Sequence, residues 1–107
     1  KMASMDMEER YRLIMSTIFR ALGFRVEVER MLATGRIDMI VEVPSIIYVL
    51  ELKLSNNGGI SAAESQIKDK SYTEPFKADK RKVIALAVEL DETGKGLIDW
   101  KEVDEGV

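Results

Sequence analysis

Asp38 and the tripeptide Glu51-Leu52-Lys53 are charged residues set inside apolar, β-branched runs. The runs are Gly35-Arg36-Ile37-Asp38-Met39-Ile40-Val41 and Ile46-Ile47-Tyr48-Val49-Leu50-Glu51-Leu52-Lys53-Leu54. Burying an unpaired charge costs several kcal/mol, so such residues need a partner or a task. Two acids and a lysine brought together in adjacent strands point to a divalent cation held by carboxylates with a catalytic lysine beside it. Such a cation can activate a water, polarise a phosphoryl oxygen and stabilise a leaving oxygen. The lysine can orient or deprotonate the water, or offset charge in the transition state. The chemistry indicated is metal-assisted phosphodiester hydrolysis. The competing reading is a cross-strand ion-pair cluster on a solvent-facing sheet.

Strand register sharpens the grouping. A two-residue loop at Pro44-Ser45 pairs Val43 with Ile46, and a four-residue loop pairs Glu42 with Ile47. Either register sets Asp38 opposite Glu51. Pro44 fixes a negative φ, which disfavours the tight primed turns and favours the longer loop. Opposed side chains share a face, and Lys53, two residues beyond Glu51, points the same way. Two like charges directly opposed destabilise a sheet, and a divalent cation would offset that. A fourth acid is expected from a preceding helix. Glu8 falls on a stripe with Tyr11, Met15, Ile18 and Leu22, whereas Glu9 projects with Ser16 and Arg20. An acid near a helix start is also favoured by the macrodipole alone.

The elements that must position these residues follow from periodicity. Residues 5–23 read as an amphipathic helix, with Tyr11, Ile14, Met15, Ile18 and Leu22 inward and Arg10, Arg12, Thr17 and Arg20 outward. Residues 25–32 alternate as a half-buried strand, with Val26, Val28 and Leu32 on one side. Strands follow at 36–43 and 46–54, then the loop Ser55-Asn56-Asn57-Gly58-Gly59. A second helix is expected over 61–72, opened by Ser61-Ala62-Ala63-Glu64 as a capping box and closed by Pro75. Residues 83–90 are nearly all apolar, as a strand buried on both faces should be. A last edge strand over 97–103 carries Trp100. The fold class is α/β: helix, three strands, helix, strand and edge strand, with a mixed sheet flanked by helices. The third and fourth strands, separated by a helix, are expected to be parallel.

Composition narrows the chemistry. The chain has 107 residues, 46% of them hydrophobic and 33% charged, which suits one small domain. Residues 1–5 read as a cloning remnant or a truncated start, and 6–107 as the domain. No apolar run approaches the roughly 20 residues that span a bilayer. There is no cysteine and no histidine, which removes thiol nucleophiles, disulfides, histidine bases and zinc sites of the usual kind. A metal would be held by oxygen, which points to Mg²⁺ or Mn²⁺. The lack of cysteine fits a reducing cytoplasmic setting. A net charge of −3 argues against gripping nucleic acid by bulk charge. The one basic concentration is Lys68, Lys70, Lys77, Lys80, Arg81 and Lys82. It reads as a solvated surface or as a phosphate-backbone contact. Tyr72, Phe76 and Trp100 read as packing residues.

Asp38, the Glu51-Leu52-Lys53 tripeptide, the helix before them and the Gln66-Ile67-Lys68 helix after them resemble the PD-(D/E)xK nuclease superfamily. The resemblance extends through Leu22-Gly23-Phe24, Gly35-Arg36-Ile37-Asp38, Gln66-Ile67-Lys68-Asp69-Lys70-Ser71-Tyr72, Glu74-Pro75-Phe76 and Arg81-Lys82-Val83. It is closest in look to the branch found at the C-terminal end of bacterial AAA-ATPase-like proteins. Ile37 stands where the motif's name has proline, a position without a chemical role. The resemblance implies a restriction-endonuclease-like core, Mg²⁺ dependence and action on DNA. It implies Asp38 and Glu51 as metal ligands, Lys53 as the catalytic lysine, Glu8 as an auxiliary acid and Gln66 as a supporting residue. Lys68, Lys70, Arg81 and Lys82 would contact DNA. An ATPase-like partner domain in the same protein and a homodimer are further expectations. The rivals are a non-catalytic nucleic-acid-binding module and an interaction or oligomerisation domain.

Overall fold

A computed structural model describes residues 5–104. The expected truncated start therefore lies, apart from Met5, outside the described residues. Helix α1 is Met7–Ala21, capped by Asp6, whose carboxylate accepts the Glu9 N–H at 2.8 Å. Strands β1 (Arg25–Leu32), β2 (Gly35–Glu42) and β3 (Ile46–Leu54) form an antiparallel meander. Helix α2 (Gly59–Lys70) carries the chain to β4 (Lys82–Leu90), which lies parallel to β3. A parallel neighbour needs such a crossover. Strand β5 (Leu97–Val103) pairs antiparallel with β4, so the five-stranded sheet runs β1-β2-β3-β4-β5. The α/β order and the parallel third and fourth strands are those expected. No helix among the described residues is long and apolar enough to cross a membrane.

The sheet is packed on both faces. Against α2 lie Ile40, Ile47, Val49 and Ala87, meeting Ala63 and Ile67. Against α1 lie Met39, Val41, Leu50 and Leu52, meeting Tyr11. Burial on both faces explains why β2 and β3 read as continuous apolar runs.

Four local expectations fail, each for a tertiary reason. The first is the rotation of α1. Its buried residues are Tyr11, Arg12 and Ser16, while Ile14, Ile18 and Leu22 are 55%, 52% and 64% exposed. Polar contacts choose the face. Arg12 reaches Glu29 at 2.9 Å, and Arg20 donates to the Val26 carbonyl at 3.2 Å. The Tyr11 hydroxyl donates to the Asp91 carbonyl at 2.6 Å and accepts the Gly96 N–H at 2.9 Å. Arg12, expected outside, is thereby drawn in.

The second is β1. Val26 and Val28 pack toward α1, but Leu32 packs toward α2. Between them Glu29 adopts φ +55°, in the left-handed region, and turns the strand over. The third is the start of α2. Gly58 and Gly59 take φ +91° and +56°, and the helix opens two residues before Ser61, so the Ser61–Glu64 capping box does not form. The Glu89 carboxylate of β4 takes the Ile60 N–H at 2.9 Å and the Ser55 hydroxyl at 2.6 Å instead. Glu64 pairs with Lys68 and Lys101. At the other end α2 stops at Lys70, because Ser71 turns left-handed at φ +51° and sends Tyr72 inward. The fourth is Trp100, which is 59% exposed on the edge strand rather than packed.

Candidate active site

Strands β2 and β3 pair as Glu42↔Ile47 through Met39↔Leu50, the register of the four-residue loop. The Val43 N–H closes that loop on the Ile46 carbonyl at 2.9 Å. The paired ladder ends at Met39↔Leu50, one step short of Asp38 and Glu51. There the Leu52 N–H is met by the Asp38 carboxylate, with Oδ2 at 2.9 Å. The Asp38 side chain thus takes the place of a backbone partner and is fixed where the strands part.

Asp38 and Glu51 are each 2% exposed. The other Asp38 oxygen, Oδ1, accepts from Arg36 Nη2 at 3.3 Å. Glu51 Oε1 is buried and has no hydrogen-bond partner. The Glu51 carboxyl is pushed well above the usual carboxylate range, first by burial and then by Asp38; Lys53 and the Tyr72 hydroxyl oppose this. Lys53 is half-buried on β3, in register with Glu89 of β4. Glu8 is half-buried at the start of α1, while Glu9 is exposed. Burial and then Asp38 raise the Glu8 carboxyl, while Lys53 and Arg12 lower it. Asp38 and Lys53 therefore act on both Glu51 and Glu8.

Gln66 reaches this group through Tyr72. Its Nε2 donates to the Tyr72 hydroxyl at 3.1 Å. Tyr72 is fully buried, and its phenol is pushed up to about 12, mainly by burial, with Glu51 and Asp38 adding to the rise. Tyr72 packs as expected, but it also carries a hydroxyl to the acid pair. Nothing local announces this, because it depends on the left-handed turn at Ser71. Tyr72→Phe should lower stability by about 0.5–1.5 kcal/mol, as Gln66 loses its acceptor. Urea unfolding in EDTA measures that change.

Arg36 joins the site through its contact with Asp38 without having been singled out by sequence; Ile37 and Met39 pack on opposite faces, so simple alternation along β2 does not announce it. The basic residues do not form one bare cationic face. Arg81 binds Glu42 at 2.8 Å and Asp79 at 2.9 Å, which raises its guanidinium pKa further. Lys68 pairs with Glu64 at 3.2 Å. The stem of Lys70 lies against Gly35, and Lys82 is exposed at the start of β4.

Among the described residues no three acids come together as a ready ligand cluster. The acid pair nevertheless fits Mg²⁺ or Mn²⁺. Its donors are hard oxygens, one of them is orphaned, and Mg²⁺ commonly takes one or two carboxylates and completes its shell with water.

The sheet, its crossover helix and the acid pair at the parting of β2 and β3 define a restriction-endonuclease-like core. Residues 6–100 match the family model of the PD-(D/E)XK nuclease superfamily, and the chain belongs to that superfamily. It is also similar to a protein of Azotobacter chroococcum mcd 1 described as an uncharacterized protein in the vnfD 5′ region. The two are 30% identical over 90 residues, which cover 84% of this chain and 17% of the relative. The chain thus spans less than a fifth of that relative's length.

Proposed function

We propose that this domain hydrolyses phosphodiester bonds of DNA with the help of Mg²⁺ or Mn²⁺. The observation that carries the reading is Glu51 Oε1, a buried carboxylate oxygen without a partner, facing Asp38 beside Lys53. Two buried acids held side by side repel one another unless a proton or a cation lies between them, which a structural ion pair of opposite charges does not require. Asp38 and Glu51 hold the cation, with Glu8 as the auxiliary acid. The bound cation supplies Lewis acidity and a more acidic water. Lys53 orients or deprotonates the attacking water. Gln66 holds the Tyr72 hydroxyl, which restrains Glu51. Lys70 and Lys82 contact the DNA backbone, Lys68 does so on leaving Glu64, and Arg81 only on leaving Glu42 and Asp79.

The longer relative supports a module within a larger protein, in keeping with the AAA-ATPase-associated branch and an ATPase-like partner domain. The lack of cysteine supports a cytoplasmic setting. The test is cleavage of plasmid, linear and branched DNA with Mg²⁺ or Mn²⁺, with EDTA and Lys53→Ala as controls. No cleavage by the wild-type chain with either ion sinks the enzyme reading.

Two other readings each have an observation behind them. The absence of a three-acid cluster among the described residues favours a non-cleaving DNA-binding module. Binding that persists in EDTA, without cleavage when metal is added, would select it. The exposed Ile14, Ile18, Leu22 and Trp100 favour an interaction domain or a homodimer. Sedimentation of the purified chain decides the dimer.

A further inference from the structure

We propose that Arg36 is a phosphate anchor of this site, held in reserve against Asp38 and aimed by Glu29 and Arg12; this rests on the nuclease reading above. Four charged groups run in a line. Arg12 Nη2 lies 2.9 Å from Glu29 Oε1, the same oxygen lies 3.2 Å from Arg36 Nη1, and Arg36 Nη2 lies 3.3 Å from Asp38 Oδ1. Arg12 is buried, so Glu29 is the counter-charge it needs. The Glu29 backbone is strained in return, sitting in the left-handed region at φ +55° in the middle of a strand. A non-glycine residue stays there only when its surroundings over-determine it, and such strain gathers at functional sites. In the β1–β2 register, Glu29 falls opposite Asp38, between the pairs Val28↔Met39 and Arg30↔Ile37. The strained residue is thus the one across the strand from the acid.

Arg36 differs from the buried ends of this line. Its side chain is 42% exposed, against 9% for Arg12 and 2% for Asp38. Its Nε–H has no partner among the described residues, and its planar fork suits a phosphate. When Asp38 carries a divalent cation, Asp38 no longer attracts the guanidinium. Arg36 remains tethered by Glu29 at the edge of the site, where a substrate phosphate is its best partner.

Two measurements on the intact chain test this. The first is the Mg²⁺ concentration at the midpoint of thermal stabilisation, without DNA. The second is the affinity for a short duplex in Ca²⁺ across a salt series. Arg36→Met is expected to lower the Mg²⁺ midpoint severalfold, because Asp38 is no longer shared. It is expected to weaken duplex binding about tenfold and to flatten the slope of log affinity against log salt by about one. Arg36→Lys, which also serves if Arg36→Met fails to fold, should keep the slope but lose affinity. Unchanged binding and slope in Arg36→Met overturn the anchor, and an unchanged Mg²⁺ midpoint overturns the reserve role. In both cases wild-type cleavage leaves the nuclease reading standing. A wild-type chain neither stabilised by Mg²⁺ nor bound to DNA overturns both.

Discussion

Lys53→Ala is expected to reduce DNA cleavage about 10²–10⁴-fold, the range over which a positioned proton-transfer or charge-stabilising group acts. Lys53 lies on β3 two residues beyond Glu51, and its charge acts on both Glu51 and Glu8. No hydrogen bond or ion pair ties it elsewhere among the described residues. Its loss should therefore spare the fold, with unchanged circular dichroism and a cooperative melt. Lys53→Arg separates its two roles. Arginine keeps the charge but does not give up a proton near neutral pH. Recovery of cleavage in Lys53→Arg would assign Lys53 an electrostatic part, and continued loss would assign it the proton. Wild-type cleavage in Lys53→Ala would remove it from the mechanism.

Glu51→Gln is expected to abolish cleavage and, in EDTA at about pH 8, to raise stability by about 1–3 kcal/mol. For a domain of this size each kcal/mol moves the melting temperature by about 4–8 °C. Glu51 is buried against a second acid, and its carboxyl is raised by that burial and by Asp38. The native state therefore keeps a proton that the unfolded chain releases. Stability is greatest below the ordinary carboxylate pKa and falls as pH rises through that value toward the raised native one. Glutamine has no proton to lose, so the advantage of the variant should widen as pH rises. Millimolar Mg²⁺ should reverse the order, stabilising the wild type but not the variant. Melting curves from about pH 5 to 9, with EDTA and with Mg²⁺, read all of this. A variant less stable than wild type in EDTA at the alkaline end would mean that the contacts of Glu51 with Asp38 and Tyr72 outweigh the cost of its burial.

Much of the sheet was legible because β structure repeats every two residues. The span Ile46–Leu54, the Glu42↔Ile47 register and the parallel β3–β4 pair follow from alternation, apolar runs and a helix-length gap. The expectation that Asp38 faces Glu51 rests on the same arithmetic, and the paired ladder ends one step before those two residues. The rotation of α1 was not legible. Apolar residues cover a wider arc of that helix than one sheet face can bury, so hydrophobicity alone does not choose among them. The choice fell to long-range polar contacts, Arg12 with Glu29 and Tyr11 with Asp91, across separations that no local pattern encodes. The capping box failed for a similar reason. Glu89, 29 residues from Ile60, supplied the acceptor that Ser61 was expected to give.

By itself the sequence determined which groups can do chemistry: oxygen donors without histidine or cysteine, and two acids and a lysine in apolar strands. Only the tertiary structure decided how those groups are held. It parted β2 from β3 so that Asp38 caps Leu52, and it buried Glu51 with one oxygen unanswered. It turned Tyr72 inward at Ser71 and bent β1 at Glu29, tying Arg36 to Asp38. Strand periodicity is a local property of the backbone and can be read along the chain. Burial, ion pairing and positive-φ turns answer to residues far away, and exist only once the sheet and both helices have closed on one another.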